Sequence, residues 1–265
     1  MAAALRTALL LVLLGCSCLF VVRPYWFPAG ASLQSAMIDR QFRIAFWVFG
    51  GLFILGHLIL IFVLAKRSPD ESKARAGSWR LEVTWTIAIA VIFFWFNISG
   101  ERLWSSMMPP ERQAAEVQVE VTGAQFQWYF RYPGADGVFG RTDPQKFARP
   151  DEGNPLGIDP NDPAGRDDVL STAMIVPVGH TVQLHLRALD VIHSLFIPAM
   201  RLKQDTVPGM EIHSHFTPMQ IGAYEIACAE LCGLGHYRMR ATVRVVSEED
   251  FDKWMKAQEA AVLSH

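Results

Sequence analysis

The sequence has 265 residues, of which 51% are hydrophobic and 19% are charged, and its formal net charge is -2. The charged fraction is low for a wholly soluble protein. A net charge this close to zero gives no electrostatic support for nucleic-acid binding, so no nucleic-acid partner is expected. The average conceals two different parts. Long apolar runs dominate up to about Asn97, and the chain after Pro109 has the composition of an ordinary soluble domain.

Three apolar runs make up the first part of the chain: Ala4 to Val22, Ile44 to Ala65 and Val83 to Ile98. A helix needs ~20 apolar residues to cross a bilayer, and ~17 are tolerated. The second run has that length, and the third reaches it by extending toward Trp104. We therefore predict a transmembrane helix from each of these two runs.

The first apolar run has two possible interpretations. Arg6 near its start and Leu-Leu-Gly-Cys at 13–16 are typical of a cleaved signal, including that of a lipoprotein. The apolar stretch nevertheless continues through Val22, beyond the usual end of a signal core. This continuation favours an uncleaved helix, so two or three N-terminal transmembrane helices are expected.

Positive charge predicts the orientation in the membrane. The loop from Lys66 to Arg80 holds five basic residues, and short loops rich in lysine and arginine stay on the cytoplasmic side. The chain from about Arg102 onward is therefore expected on the outer, periplasmic side of the inner membrane of a prokaryote.

Several stretches after the apolar part alternate apolar and polar residues and are rich in valine, isoleucine and threonine. They are Glu116–Thr122, Gln125–Tyr132, Ala173–Val178, Thr181–Ala188, Ala223–Ala227 and Arg240–Val246. Many short strands with turn residues between them predict a β-sandwich or barrel. Arg149–Asp168 is predicted to be a surface loop, and Glu248–Ala261 an amphipathic helix capped by Ser247. The predicted division is 1–41 for the first apolar segment and its loop, 42–104 for a helix hairpin, 105–247 for the β domain and 248–265 for the C-terminal helix and tail.

A cluster of potential metal ligands lies between Cys228 and Met239. It contains two cysteines, a glutamate, a histidine and a methionine, and a further histidine, His193, lies upstream. Two thiolates, two imidazoles and a thioether are soft to borderline donors, which suit copper in electron transfer. Two thiolates can bridge two copper ions, each of which takes one histidine. Zinc has little use for methionine, and a thiol-redox motif has two residues between its cysteines rather than three.

The remaining histidines are interpreted as structural. His180 and His185 lie in a predicted strand region, and His213 and His215 lie just before one. None of them has a partner at ligand spacing along the sequence. His57 lies inside an apolar helix, where it is a polar group at membrane depth.

With these motifs, the chain resembles subunit II of haem-copper cytochrome c oxidases. The resemblance runs from about Phe42 to Val246 and is strongest at Asp190–Pro198, Leu202–Gly209 and Gly222–Met239. It implies a membrane-anchored all-β protein whose cupredoxin-like β-sandwich or barrel lies outside the membrane and docks on a large catalytic subunit.

The resemblance also implies a dinuclear copper centre, copper A. The implied ligands are two bridging thiolates, two imidazoles, one thioether and one backbone carbonyl, from Cys228, Cys232, His193, His236, Met239 and Glu230. The Glu230 carboxylate is implied to help hold magnesium at the interface with subunit I, a role that suits a hard oxygen donor.

Glu82 begins Glu-Val-Thr-Trp-Thr, which resembles the start of the family's second helix. The family's glutamate sits at the mouth of a proton-uptake channel shared with subunit I. The residues alone indicate only a carboxylate at a helix start, where it is favourable. The proline that often follows in the family is missing from Ile87–Ala90.

An aromatic stretch, Gln125–Phe130, resembles the patch where the family receives electrons from cytochrome c. Alignment on Gly123 places Phe126 at the accepting tryptophan of the family, whereas alignment on Gln127–Tyr129 places Trp128 there. We favour Trp128. The alternative is that these aromatics are ordinary core and surface residues of a strand.

Together the resemblance implies the electron-input subunit of a terminal respiratory oxidase. Electrons would pass from cytochrome c through copper A to haem in subunit I, where O2 is reduced to water with proton pumping. The expected partners are subunits I and III, cytochrome c and membrane lipid, and the haem lies only in the partner subunit. One alternative is a stand-alone membrane-tethered copper electron carrier. A quinol oxidase subunit lacks these copper ligands, and a nitrous oxide reductase does not need the helices.

Overall fold

The computed structural model describes residues 2–22, 28–66, 77–107, 117–147 and 153–262. They form two compact units. One unit comprises Met1–Pro28 and Met37–Met107, and the other comprises Ala29–Ala36 and Met108–His265. The predicted division differs from this in two places. A short segment before the second helix belongs to the β unit, and the C-terminal helix is part of that unit as well.

The first unit is helical. Its helices are α1 (Ala2–Val22), α2 (Leu33–Lys66) and α3 (Trp79–Met107). Leu33–Val63 of α2 and Trp79–Met107 of α3 are long and apolar enough to cross a membrane, and the most apolar stretch of each has no buried residue. This confirms the two predicted spanning helices. The apolar core of α1, Leu10–Leu19, is shorter, so its role as a third spanning helix stays a prediction.

The second helix begins well before its apolar run, because a capping motif starts it at Leu33. The Ser32 hydroxyl accepts a hydrogen bond from the Ser35 amide at 2.9 Å, and the Ser35 hydroxyl accepts one from the Ser32 amide at 3.0 Å. Each side chain thus satisfies an amide that has no partner inside the helix. The predicted helix start was too late, because it was based on the apolar residues alone.

The second unit is a sandwich of two five-stranded sheets. The strands are β1 (Val117–Ala124), β2 (Gln127–Tyr132), β3 (Val169–Ser171), β4 (Met174–Pro177), β5 (Val182–Ala188), β6 (His193–Ile197), β7 (Leu202–Thr206), β8 (Ile212–Phe216), β9 (Gly222–Cys228) and β10 (Arg240–Val246). The sheet orders are β3-β2-β1-β5-β8 and β4-β10-β9-β6-β7. The pairs β1–β5 and β4–β10 are parallel, and the others are antiparallel. The predicted β-sandwich is confirmed.

The core lies between the two sheets because successive side chains of a strand point to opposite faces. Alternate residues of β1 and β5, such as Val119, Val121 and Leu184, are fully buried. They form one hydrophobic cluster with residues of the other sheet, among them Leu195 and Ile226. This arrangement places the ends of β6 and β9 side by side, where the predicted ligands begin.

The segment Ala29–Ala36, which includes the first turn of α2, is hydrogen-bonded to the sandwich. The Ala31 amide donates to the Ala199 carbonyl at 2.8 Å, and the Ala31 carbonyl accepts from the Met219 amide at 2.7 Å. The Leu33 amide donates to the Thr217 carbonyl at 2.9 Å. A fragment that starts after α3 therefore lacks part of the β unit.

The predicted C-terminal helix is present as α4 (Glu248–Val262). Ser247 caps it, since its hydroxyl accepts from the Asp250 amide at 3.2 Å. The Trp254 ring packs edge-on against Tyr132, with the ring centroids 5.0 Å apart. The helix therefore covers the end of the core near β2.

A buried ion cluster lies on the face of the first sheet that points away from the core. Arg131 binds both carboxylate oxygens of Glu120, at 2.9 and 2.8 Å, and its Nη1 donates to Asp168 Oδ2 at 2.9 Å. Arg131 also donates to the Gly140 carbonyl. Burial raises the pKa of the Asp168 carboxyl to about 6, against the lowering effect of Arg131. The enclosed Arg131 guanidinium thus binds two buried carboxylates.

We expect Arg131→Met to lower the free energy of unfolding by about 3–5 kcal/mol, because it leaves buried carboxylates without their cation. Arg244→Met is the matched control, since Arg244 is exposed on β10, and we expect it to change stability by about 0.5 kcal/mol or less. Guanidinium unfolding of the full chain, followed by near-ultraviolet circular dichroism, measures both. Equal effects of the two substitutions would contradict the structural importance of the cluster.

Candidate metal centre

The predicted ligands meet at one end of the second sheet. Cys228 ends β9 and His193 begins β6, and the two strands pair with Leu195 opposite Cys228. The Cys228 amide donates to the Met239 carbonyl at 3.1 Å, and the Ala229 amide donates to the Ser194 carbonyl at 3.0 Å. Both ends of the loop 229–239 are therefore held by backbone hydrogen bonds.

Two glycines allow this loop to fold over the site. Gly233 has φ +127°, a conformation that other residues rarely adopt. A Cβ atom on Gly235 would lie only 2.3 Å from the Phe126 ring. The loop then closes with a single helical turn, His236–Arg238, which directs His236 and Met239 toward the cysteines.

Three potential donors surround the Cys228 thiol. Its Sγ lies 3.9 Å from Cys232 Sγ, 4.0 Å from His193 Nδ1 and 3.2 Å from the Glu230 carbonyl oxygen. The two cysteines are free thiols. The Glu230 side chain is exposed, so only its backbone faces the cysteines.

The Cys232 thiol has a matching environment. Its Sγ lies 3.6 Å from His236 Nδ1 and 3.8 Å from Met239 Sδ. Each sulfur therefore has one imidazole nitrogen and one weak donor beside it, a carbonyl for Cys228 and a thioether for Cys232. The donor set is soft to borderline, and the thioether among the donors fits copper better than zinc.

The site is enclosed by protein. The side chains of His193 and Met239 are fully buried, and those of Cys228 and Cys232 nearly so. Burial, together with the neighbouring Cys228 thiol, raises the pKa of Cys232 to about 11. Because a thiol must lose its proton to bind a metal, loading of the site releases protons.

Asp190 fixes the orientation of the His193 ring. Asp190 Oδ1 lies 2.8 Å from His193 Nε2, which leaves Nδ1 to face Cys228. Asp190 Oδ2 accepts from the Gln125 amide at 2.7 Å, and the Gln125 side chain donates to the Cys232 carbonyl at 2.5 Å. A hydrogen-bonded carboxylate behind a ligating imidazole is the usual way to orient it. This role of Gln125 was not predicted from the sequence, because its hydrogen-bond partners lie far away along the chain.

The two candidate aromatics for electron input have different surroundings. Trp128 is completely buried, its ring centroid 6.0 Å from that of His193. Phe126 is 38% exposed and touches Gly233 and Gly235 of the ligand loop. Trp128 is therefore a core residue beside the site, whereas Phe126 lies at the surface over it.

Glu82, the remaining predicted site residue, belongs to the helical unit. It lies in the first turn of α3, and its backbone carbonyl accepts from the Thr86 hydroxyl at 2.8 Å. Glu230 and Glu82 thus occur in separate units of the chain.

A second group of potential ligands was not predicted from the sequence, because His185 and His213 were interpreted as structural. One ligand atom each of His185, Glu211 and His213 lies within 4.8 Å of the others. The residues come from β5 and from the start of β8, and β8 was not predicted as a strand. Only the pairing of these strands reveals the cluster.

Comparison with known proteins identifies the relatives of this chain. Residues 161–246 match the family described as cytochrome C oxidase subunit II, periplasmic domain. The alternative cytochrome c oxidase subunit 2 of Bradyrhizobium diazoefficiens is 33% identical over 96% of this chain and 92% of that protein. Cytochrome c oxidase subunit 2 of Cereibacter sphaeroides is 36% identical over 86% of this chain and 80% of that protein.

Among solved structures, the periplasmic domain of subunit II of cytochrome oxidase of Bradyrhizobium japonicum matches with 28% identity and a TM-score of 0.43. It covers 58% of this chain and 99% of that domain. The two apolar helices and the matched periplasmic domain together make this a membrane-anchored protein with a periplasmic domain. The identity and coverage of the full-length relatives show that the chain belongs to the cytochrome c oxidase subunit II family and is a subunit of such an oxidase.

Proposed function

We propose that this chain is the electron-input subunit of a terminal respiratory oxidase in the inner membrane of a prokaryote. Electrons from cytochrome c reach a haem in subunit I, where O2 is reduced to water with proton pumping. The observation that carries the proposal is the pair of buried thiols, each beside one imidazole nitrogen and one weak donor.

Six residues would hold two copper ions as copper A: His193, Cys228, Glu230 through its carbonyl, Cys232, His236 and Met239. When bound, the copper pair supplies one-electron redox chemistry in which the charge change is shared by two ions. The protein holds the donors in place and excludes water, so that little has to move when the charge changes. The backbone bonds at Cys228 and Ala229 provide this rigidity.

We expect the copper-loaded full chain to give a seven-line paramagnetic resonance signal, because one unpaired electron is shared by two equivalent copper nuclei. Cys232→Ser removes one bridging sulfur and should replace this signal by a four-line or absent one. Cys18→Ser, in α1, is the matched control and should leave seven lines. A four-line signal from the unaltered chain would instead indicate one isolated copper and a single-copper carrier.

Phe126 is the better candidate for receiving electrons from cytochrome c. Phe126 combines exposure with a position against the ligand loop, whereas Trp128 is buried. Other apolar side chains at the same loop are exposed, including Leu231 at 79% and Leu234 at 97%. An exposed apolar patch of this kind is typical of a protein-binding surface, which supports docking of partner proteins around the metal centre.

We expect Phe126→Leu to slow the reduction of the assembled oxidase by cytochrome c about tenfold or more. Trp128→Phe keeps a buried ring and should change this rate little. Stopped-flow absorption measures both rates, and the paramagnetic signal shows whether the copper pair is retained. If Trp128→Phe slowed the reduction more than Phe126→Leu while both variants kept the copper signal, Trp128 would be the residue that receives the electrons.

The exposed carboxylate of Glu230 is available to a neighbouring subunit, while the carbonyl of the same residue faces Cys228. We propose that this carboxylate helps to hold magnesium at the interface with subunit I, since magnesium prefers oxygen ligands. The two spanning helices provide surface for subunits I and III and for lipid. Purification separates the two candidate functions, because a stand-alone copper carrier would purify without haem, whereas an oxidase subunit would co-purify with the haem of its partner subunit.

We propose that Glu82 lies at the mouth of a proton-uptake channel shared with subunit I. Its position in the first turn of α3 places the carboxylate at the end of a spanning helix. Glu82→Gln should lower steady-state oxygen consumption several-fold while leaving the copper signal unchanged. Glu101→Gln, near the other end of α3, is the matched control. Normal turnover in Glu82→Gln would remove this assignment.

A further inference from the structure

We propose that His185, Glu211 and His213 form a second metal site on the β-sandwich, which takes a divalent transition metal such as zinc. His185 lies on β5 and His213 lies directly opposite it on β8, the edge strand of the first sheet. Their side chains share the face that points away from the core. Glu211 immediately precedes β8 and points back to both histidines.

The donor atoms lie near the separation that a metal requires. His185 Nδ1 lies 3.0 Å from Glu211 Oε1, and His213 Nε2 lies 3.7 Å from the same oxygen. All three ligand atoms lie within 4.8 Å of one another. Zinc–ligand bonds of ~2.0–2.1 Å in a tetrahedron place ligand atoms ~3.3 Å apart. The His213 side chain is 47% exposed and can make the adjustment.

The carboxylate of Glu211 is oriented before any metal arrives. Arg187 donates to Oε2 of Glu211, which leaves Oε1 to face the histidines. Arg187 also approaches Glu120 Oε2 at 3.3 Å, and Glu120 is itself bound to Arg131. A ligating carboxylate held through its second oxygen is a common feature of metal sites. The Arg187 guanidinium lies beside Oε2, the oxygen that faces away from the histidines, so it does not occupy the proposed metal position.

The ring of His185 is also held in place. Its side chain is only 16% exposed, and its ring packs edge-on against Phe139, with the centroids 5.4 Å apart. Its Nε2 is buried without a hydrogen-bond partner among the described residues. The Nδ1 atom therefore faces the cluster, and the buried ring resists turning away from it.

The residue types decide which metal class fits. Two imidazoles and one carboxylate form the three-ligand set of open zinc sites, in which water completes the coordination. Nitrogen donors favour transition metals over magnesium or calcium, which prefer oxygen. Such an ion would join the edge strand β8 to β5, at a sheet edge that is otherwise open to pairing with other chains.

The test uses the full chain with its copper centre already loaded. Equilibrium dialysis against buffered zinc should give one zinc per chain while the paramagnetic copper signal stays unchanged. Glu211→Gln and His213→Asn should each weaken zinc binding about tenfold or more. His180→Asn is the control, because His180 has a distant carboxylate partner, Glu248 at 3.9 Å, and is outside the cluster.

Two further readouts separate a built site from loose surface binding. Cobalt in place of zinc should give the strong visible absorption of a tetrahedral ion, and Glu211→Gln should abolish it. Zinc at a hundredfold excess over its Kd should raise the melting temperature of the unaltered chain by about 5 °C or more. The proposal is overturned if zinc does not bind below about 1 mM, if Glu211→Gln and His213→Asn bind it as tightly as the unaltered chain, or if zinc binds only by displacing copper.

Discussion

Two backbone hydrogen bonds at the end of β9 determine the geometry of the candidate metal centre. The Cys228 amide bonds to Met239 and the Ala229 amide bonds to Ser194, so that the loop carrying most donors starts and ends at fixed points beside β6. The sulfur and nitrogen atoms need no flexible side chains to reach one another, because the strand pairing has already brought their backbones together. Buried donors at separations of 3.2–4.0 Å follow from this constraint. The rest of the sandwich serves to hold the two strands in that register.

The six candidate donors could be recognised in the sequence, but their surroundings could not. Five of the six candidate ligands are close together in the chain, and their chemistry indicates copper without any knowledge of the fold. The short strands β3, β7 and β8 were not predicted, because their pairing rather than their local pattern makes them strands. Alternation along β2 was visible in the sequence. Alternation puts Phe126 and Trp128 on the same face, so it could not separate them; the structure does, because β2 begins at Gln127 and leaves Phe126 before the strand.

The first sheet carries a chain of alternating charges on its outer face, which no local pattern indicates. Across the sheet the charges follow one another in the order Asp168 just before β3, Arg131 on β2, Glu120 on β1, Arg187 on β5 and Glu211 just before β8. Neighbouring strands bring opposite charges together, so each charge is balanced by the next strand rather than by water. The same chain orients Glu211 beside His185. A substitution of Arg131, at the buried end of this chain of charges, therefore acts through the intervening ion pairs on the charge balance at the exposed edge strand.

The segment Ala29–Ala36 has a consequence for membrane insertion. It belongs to the sandwich, and so does the chain that follows α3, although α2 and α3 lie between them. One folded domain in water cannot have parts on both sides of a bilayer. The two helices must therefore cross the membrane as a pair, independently of the basic loop that joins them. A chain in which one helix failed to insert would leave the sandwich without the partners of Ala199 and Thr217, so correct topology is a condition for complete folding.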